Sequence, residues 1–131
     1  MAMASLEVTR PARVLVVEDD PDLRENLAEL LAASGYVVVT AENSVEALRE
    51  IAAGGVDLLI TDLRMPGPNG VDLINAAQRE RSDLRAILMT AFEADPPAED
   101  MRGGTVRYLR KPFEAEEVTR LVARVLSSRG G

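Results

Sequence analysis

Cysteine is absent from the 131 residues, which excludes disulfides, thiolate metal ligands and thiol nucleophiles. Histidine is absent as well, so a Ser-His-Asp triad, an imidazole-ligated zinc and a phosphohistidine donor all fall away. Long apolar runs are missing: stretches such as Val14–Val17 hold a few residues, where a membrane span needs about 20. No basic start followed by an apolar stretch lies between Met1 and Pro11, so no secretory signal is read and a cytoplasmic location is expected. Positive charge is in deficit, 15 basic residues against 22 acidic for a net charge of -7. Binding nucleic acid by neutralising phosphates needs the opposite sign, so no direct nucleic-acid or membrane partner is expected. Lysine is reduced to one residue, Lys111, all other basic residues being arginine. Chemistry is left to carboxylates, hydroxyls, one ammonium, guanidinium groups and the backbone.

What is present is ordinary for a soluble globular domain, 47% hydrophobic and 28% charged, at a length that supports one core-bearing domain. Short β-branched runs alternate with longer stretches of helical period, the pattern of βα units around a parallel sheet. Five strands are expected, at about Val14–Val17, Val37–Thr40, Leu58–Thr61, Ala86–Met89 and Val106–Leu109. Several are continuously apolar, as when helices cover both faces of a sheet. A first helix is expected from the Asp20 cap and Pro21 to Gly35, with Leu23, Leu27, Leu30 and Leu31 on its apolar stripe. A second runs from Asn43 or Ser44 to Gly54-Gly55 and buries Val45, Leu48 and Ile51; a third starts near Gly70 and shows Val71, Ile74 and Ala77. Asp95-Pro96-Pro97 and Gly103-Gly104 make a fourth helix short or irregular. The last spans about Glu114 to Ser127, with Val118, Leu121, Val122 and Val125 on one side. Residues 1–12 and 128–131 read as tails around a domain at 13–127.

In a parallel α/β sheet the functional crevice lies beyond the carboxyl ends of the strands. Strand one is followed there by Glu18-Asp19-Asp20, strand three by Asp62, strand four by Thr90-Ala91 and strand five by Lys111-Pro112. Acids converging at one rim repel each other and lose hydration, and a hard divalent cation such as Mg²⁺ relieves both costs. Acids after a strand also cap the following helix, as Asp20 is expected to do. Asp62 precedes the turn-rich Leu63–Gly70 loop and reads either as a loop-capping aspartate or as a carboxylate able to attack phosphorus. Lys111 reads as a surface lysine or as a long stem carrying a compact charge across the rim, which a broad guanidinium cannot mimic. Thr90 suits a helix cap or an anion donor, and Tyr108 suits half-buried packing.

Together these residues resemble the receiver (REC, CheY-like) domain of two-component response regulators, from Arg13 to about Leu126. The resemblance rests on Val14-Leu15-Val16-Val17-Glu18-Asp19-Asp20-Pro21, on Asp62-Leu63-Arg64-Met65-Pro66 with Gly70, and on Thr90-Ala91, Tyr108 and Lys111-Pro112-Phe113. It implies a flavodoxin-like five-stranded parallel sheet in the order 2-1-3-4-5, flanked by five helices. It also implies Asp62 as phosphoacceptor, with Lys111 and Thr90 as catalytic companions. Mg²⁺ or Mn²⁺ would sit on Glu18, Asp19, Asp62 and the backbone carbonyl of Arg64. Thr90 and Tyr108 match the switch pair, and Arg64 and Phe92 the positions that tune hydrolysis. The implied partner is a sensor histidine kinase or a histidine phosphotransfer protein, and the pattern leaves room for a homodimer.

Two other readings use the same residues. A Mg-dependent aspartyl-phosphate phosphohydrolase usually carries a second aspartate two residues after its nucleophile, where this chain has Arg64, and a cap insertion that is missing here. A partner-binding pseudo-receiver would lack some of the acids or the lysine, all of which are present.

Overall fold

Alternation within the strands decides which side of the sheet each residue feeds. In the computed structural model, which describes residues 10–91 and 105–127, strand β1 is Arg13–Val17, β2 Val37–Ala41, β3 Leu58–Asp62, β4 Arg85–Ala91 and β5 Val106–Lys111. Successive side chains of a strand point to opposite faces. Leu15, Val17 and Leu59 therefore join one core cluster, while Val14, Val16, Leu58 and Ile60 join the other. Burial on both faces explains the unbroken apolar runs, and β3 is buried at every residue.

Four helices lie among the described residues: α1 Pro21–Ala33, α2 Ser44–Ala53, α3 Gly70–Glu80 and α4 Ala115–Ser127. The short or irregular helix expected around Asp95-Pro96-Pro97 falls outside the described residues. Leu27 and Leu31 of α1 and Val118, Val122 and Val125 of α4 pack on the Val14–Val16 face. Ala47 and Ile51 of α2 and Leu73, Ile74 and Ala77 of α3 cover the opposite one. Asp20 caps α1 as expected, its carboxylate accepting from Asp22 N at 3.0 Å, with Pro21 at the first turn. Asn43 caps α2. Asn69 and Asp72 exchange side-chain and backbone bonds at 2.9 and 3.2 Å, a capping box that fixes the start of α3. Gly35, at φ 101°, lets the chain leave α1 through the left-handed region.

One helix face differs from expectation. Val45 is 58% exposed, and Ala47 takes the core position with Ile51. A spacing of four (Ala47, Ile51) and one of three (Val45, Leu48, Ile51) both suit a helix, and contact with the sheet selected the first.

The sheet order is β2-β1-β3-β4-β5, all pairs parallel, as the resemblance to receiver domains implies. The register pairs Val17 with both Ala41 and Thr61, Asp62 with Met89, and Ala91 with Lys111. All carboxyl ends thus lie at one edge, with β1 and β3 adjacent at the centre.

Candidate functional site

Adjacency of β1 and β3 brings their terminal acids together. Glu18 follows β1 and is 1% exposed, Asp62 ends β3 and is 8% exposed, and Asp19 beside them is exposed. One carboxylate oxygen from each of Glu18, Asp19 and Asp62 lies within 4.8 Å of the other two. Lys111 stands on β5, with β4 between it and β3, so its side chain and that of Asp62 must together bridge two strand spacings of roughly 4.8 Å each. They do so, placing Lys111 Nζ 3.1 Å from Asp62 Oδ1 and 3.4 Å from Glu18 Oε1. The Lys111-Pro112 peptide bond is cis.

Three carboxylates against one ammonium leave an excess of two negative charges when all are ionised. Burial is the main force lifting the Glu18 carboxyl above its ordinary pKa, the Asp62 charge adds to it, and the Asp20 N–H and Lys111 oppose it. Burial alone would lower the Lys111 ammonium, but the attraction of Asp62 and Glu18 outweighs it and the group titrates above the usual lysine range. The donor set is all oxygen, and with Lys111 counted the cluster's two excess negative charges balance one dication, so it fits a hard divalent ion of the Mg²⁺ class.

Of the remaining expected residues, Thr90 and Arg64 lie at the same rim and Tyr108 lies within β5. Thr90 is 6% exposed near the carboxyl end of β4, the strand between those carrying Asp62 and Lys111. Arg64 is exposed in the loop two residues after Asp62. Tyr108 is half-buried, paired in register with Leu88 and packed on the Leu15–Val17 side of the sheet. Phe92 lies outside the described residues.

The loop after Asp62 is tied down from several sides. Leu63 N donates to Met89 O at 2.9 Å, Gly70 N to Leu63 O at 2.8 Å, and Ser44 Oγ to Pro68 O at 3.1 Å. A Cβ on Gly70 would stand 2.4 Å from Asp62 O and 2.7 Å from Leu88 Cδ1, so only glycine lets α3 start this close to the end of β3.

Two contacts at this rim escape sequence reasoning. Glu18 Oε2 accepts from Asp20 N at 3.1 Å, and Arg24 Nη1 donates to Glu18 O at 2.8 Å. The only advance signal for Arg24 is its place one turn into a helix that begins at Pro21.

A family model for the response regulator receiver domain matches residues 14–123. The response regulator protein FleR of Pseudomonas aeruginosa is 41% identical over 114 residues, 86% of this chain and 24% of FleR. The chain thus spans about a quarter of the length of the curated relatives it matches. Among solved structures, the response regulator TrrA of Thermotoga maritima in complex with Mg²⁺ and BeF has a TM-score of 0.77 at 35% identity, over 88% of this chain and 99% of that one. The complex of the histidine kinase ThkA with TrrA gives 0.76 at 35% identity, over 88% and 98%. No described helix is long and apolar enough to cross a membrane.

Proposed function

The chain belongs to the response regulator receiver domain family, and on that premise we propose that Asp62 accepts a phosphoryl group from a phosphohistidine of a sensor histidine kinase or histidine phosphotransfer protein. The observation that carries this reading is the Lys111 ammonium, 3.1 Å from Asp62 Oδ1 and 3.4 Å from Glu18 Oε1, at a rim shared with Asp19. The kinase complex of the related TrrA supports the partner class.

A carboxylate oxygen of Asp62 attacks phosphorus in line. The new O–P bond forms as the N–P bond to the donor imidazole breaks, and the imidazole leaves with that electron pair. In such a transfer the protein mostly positions groups and neutralises charge on the equatorial oxygens. Lys111 stays protonated at neutral pH and supplies one such charge, with the Thr90 hydroxyl as a further donor. Glu18, Asp19, Asp62 and the Arg64 backbone carbonyl would hold Mg²⁺ or Mn²⁺, which when bound supplies the remaining neutralisation. Water later attacks phosphorus, releasing inorganic phosphate and restoring the carboxylate. Arg64, two positions past Asp62, and Phe92, two positions past Thr90 in sequence, are the residues proposed to tune that hydrolysis. Thr90 moving toward the phosphoryl group frees space for Tyr108 to turn inward, which shifts a two-state equilibrium and signals. The domain, residues 13–127, acts only on its own aspartate and turns over no external substrate.

Intact mass after incubation with acetyl phosphate and Mg²⁺ tests this. Wild type is expected to gain one phosphoryl group and Asp62→Asn none; an equal gain in the variant overturns the assignment. Turnover of small phosphoesters beyond one equivalent identifies a phosphohydrolase instead.

A further inference from the structure

Glu18 sits where β1 stops pairing. Its N–H still donates to Ala41 O of β2 at 3.1 Å, but its carbonyl lies past the last paired residue, Val17, and needs another partner. Arg24 provides it, reaching back from the first turn and a half of α1 to donate from Nη1 at 2.8 Å. The next peptide is held as well, by Asp20 N donating to Glu18 Oε2 at 3.1 Å. The two peptide planes flanking Asp19 are therefore fixed by separate bonds, although Asp19 itself is exposed. Arg24 is anchored in turn, because its own N–H donates to Asp20 O at 2.9 Å within the capped start of α1.

We propose that Arg24 is a positioning residue for the divalent-cation site: by clamping the Glu18 carbonyl it sets the direction of the Asp19 carboxylate relative to Glu18 and Asp62. The inference rests on the reading of those three acids as cation ligands. Geometry and charge make opposite demands at this position. A guanidinium near a cation site repels the cation, so if charge were its whole influence, removing it would tighten binding. If it orients the ligands, removing it weakens binding, as loss of the groups supporting metal ligands does by roughly 10-fold or more.

Two substitutions separate these demands. Arg24→Met keeps a long helix-compatible stem and loses both charge and donor; Arg24→Lys keeps charge and one reaching donor. Mg²⁺ affinity is measured by calorimetry on each folded protein, alongside the Mg²⁺ concentration that half-saturates phosphoryl uptake from acetyl phosphate. The expected result is about tenfold weaker Mg²⁺ binding in Arg24→Met, a matching rise in the half-saturating concentration, a maximal rate at saturating Mg²⁺ near wild type, and recovery of most of the affinity in Arg24→Lys. Affinity in Arg24→Met equal to or tighter than wild type overturns the inference and leaves the proposed function standing. If Arg24→Met does not fold, Arg24→Gln takes its place under the same two outcomes. A wild-type protein that binds no Mg²⁺ overturns the reading of the acids as ligands, and the inference with it.

Discussion

Lys111 is the cation that holds two buried acids in place, so its removal is felt in both stability and chemistry. Lys111→Met leaves Glu18 and Asp62 facing each other without it, and phosphoryl uptake from acetyl phosphate is expected to fall by about 100-fold, the usual consequence of losing a charge-stabilising donor. Lys111→Arg is expected to rescue little, because a planar fork cannot replace a point charge placed 3.1 Å from one carboxylate and 3.4 Å from another. The pH dependence follows from the same contacts. The ammonium titrates above its unfolded value, so its contribution to stability is complete below the ordinary lysine pKa and disappears as pH rises through the higher folded value. Urea midpoints of wild type and Lys111→Met should therefore converge above about pH 10.4, and a gap that stays constant there would contradict the ion pairing. As the sole lysine, Lys111 stands out in the sequence, and so does Asp62 at the end of an apolar strand. Arg24 does not, being one of many arginines until the helix start at Pro21 puts it within reach of the end of β1.

Among the elements, the start of α3 carries the tightest constraint. The atoms nearest a Cβ on Gly70 are Asp62 O at 2.4 Å, Leu88 Cδ1 at 2.7 Å and Leu63 Cα at 3.0 Å, and two of the three belong to backbone that cannot rotate away. Gly70→Ala is expected to cost about 1–3 kcal/mol by overpacking and also to slow phosphoryl uptake, since the helix must push against Asp62 at the end of β3 and the loop that follows it. Denaturation midpoints and acetyl phosphate kinetics check the two effects; loss of stability with unchanged kinetics would show the loop to be indifferent to the helix. The strands and the Asp20 cap were legible in the sequence, because apolar runs and side-chain oxygens before a helix act locally; for α2 the same signal left Asn43 and Ser44 both open, and Asn43 is the cap. The rotation of α2 was not, since Val45 or Ala47 could equally face inward until the sheet was present to choose. The closeness of Gly70 to Asp62 was hidden for the same reason: a glycine shows that space is short only when its neighbours are in place.

At the scale of the whole molecule, one sheet separates two apolar cores and gathers its charged chemistry at one edge. Lys111 pairs with Glu18 and Asp62 but leaves the cluster they form with Asp19 in negative excess, so a bound dication relieves repulsion in the folded state and has no equivalent site in the unfolded chain. Mg²⁺ should therefore raise the melting temperature, by the equivalent of about 2.7 kcal/mol at a hundred times its dissociation constant. The increase should shrink in Asp62→Asn, and an undiminished one would place the ion elsewhere. The most direct measurement is chemical trapping of the phosphorylated residue. Borohydride reduces an acyl phosphate to an alcohol, so treatment after acetyl phosphate and Mg²⁺, followed by peptide mapping, marks the acceptor as homoserine. Homoserine at position 62 and at no other aspartate is the expected result; a phosphorylated protein carrying homoserine at Asp19 instead, or at Glu18 the longer 2-amino-5-hydroxypentanoic acid that a glutamyl phosphate gives, would contradict the central role of Asp62.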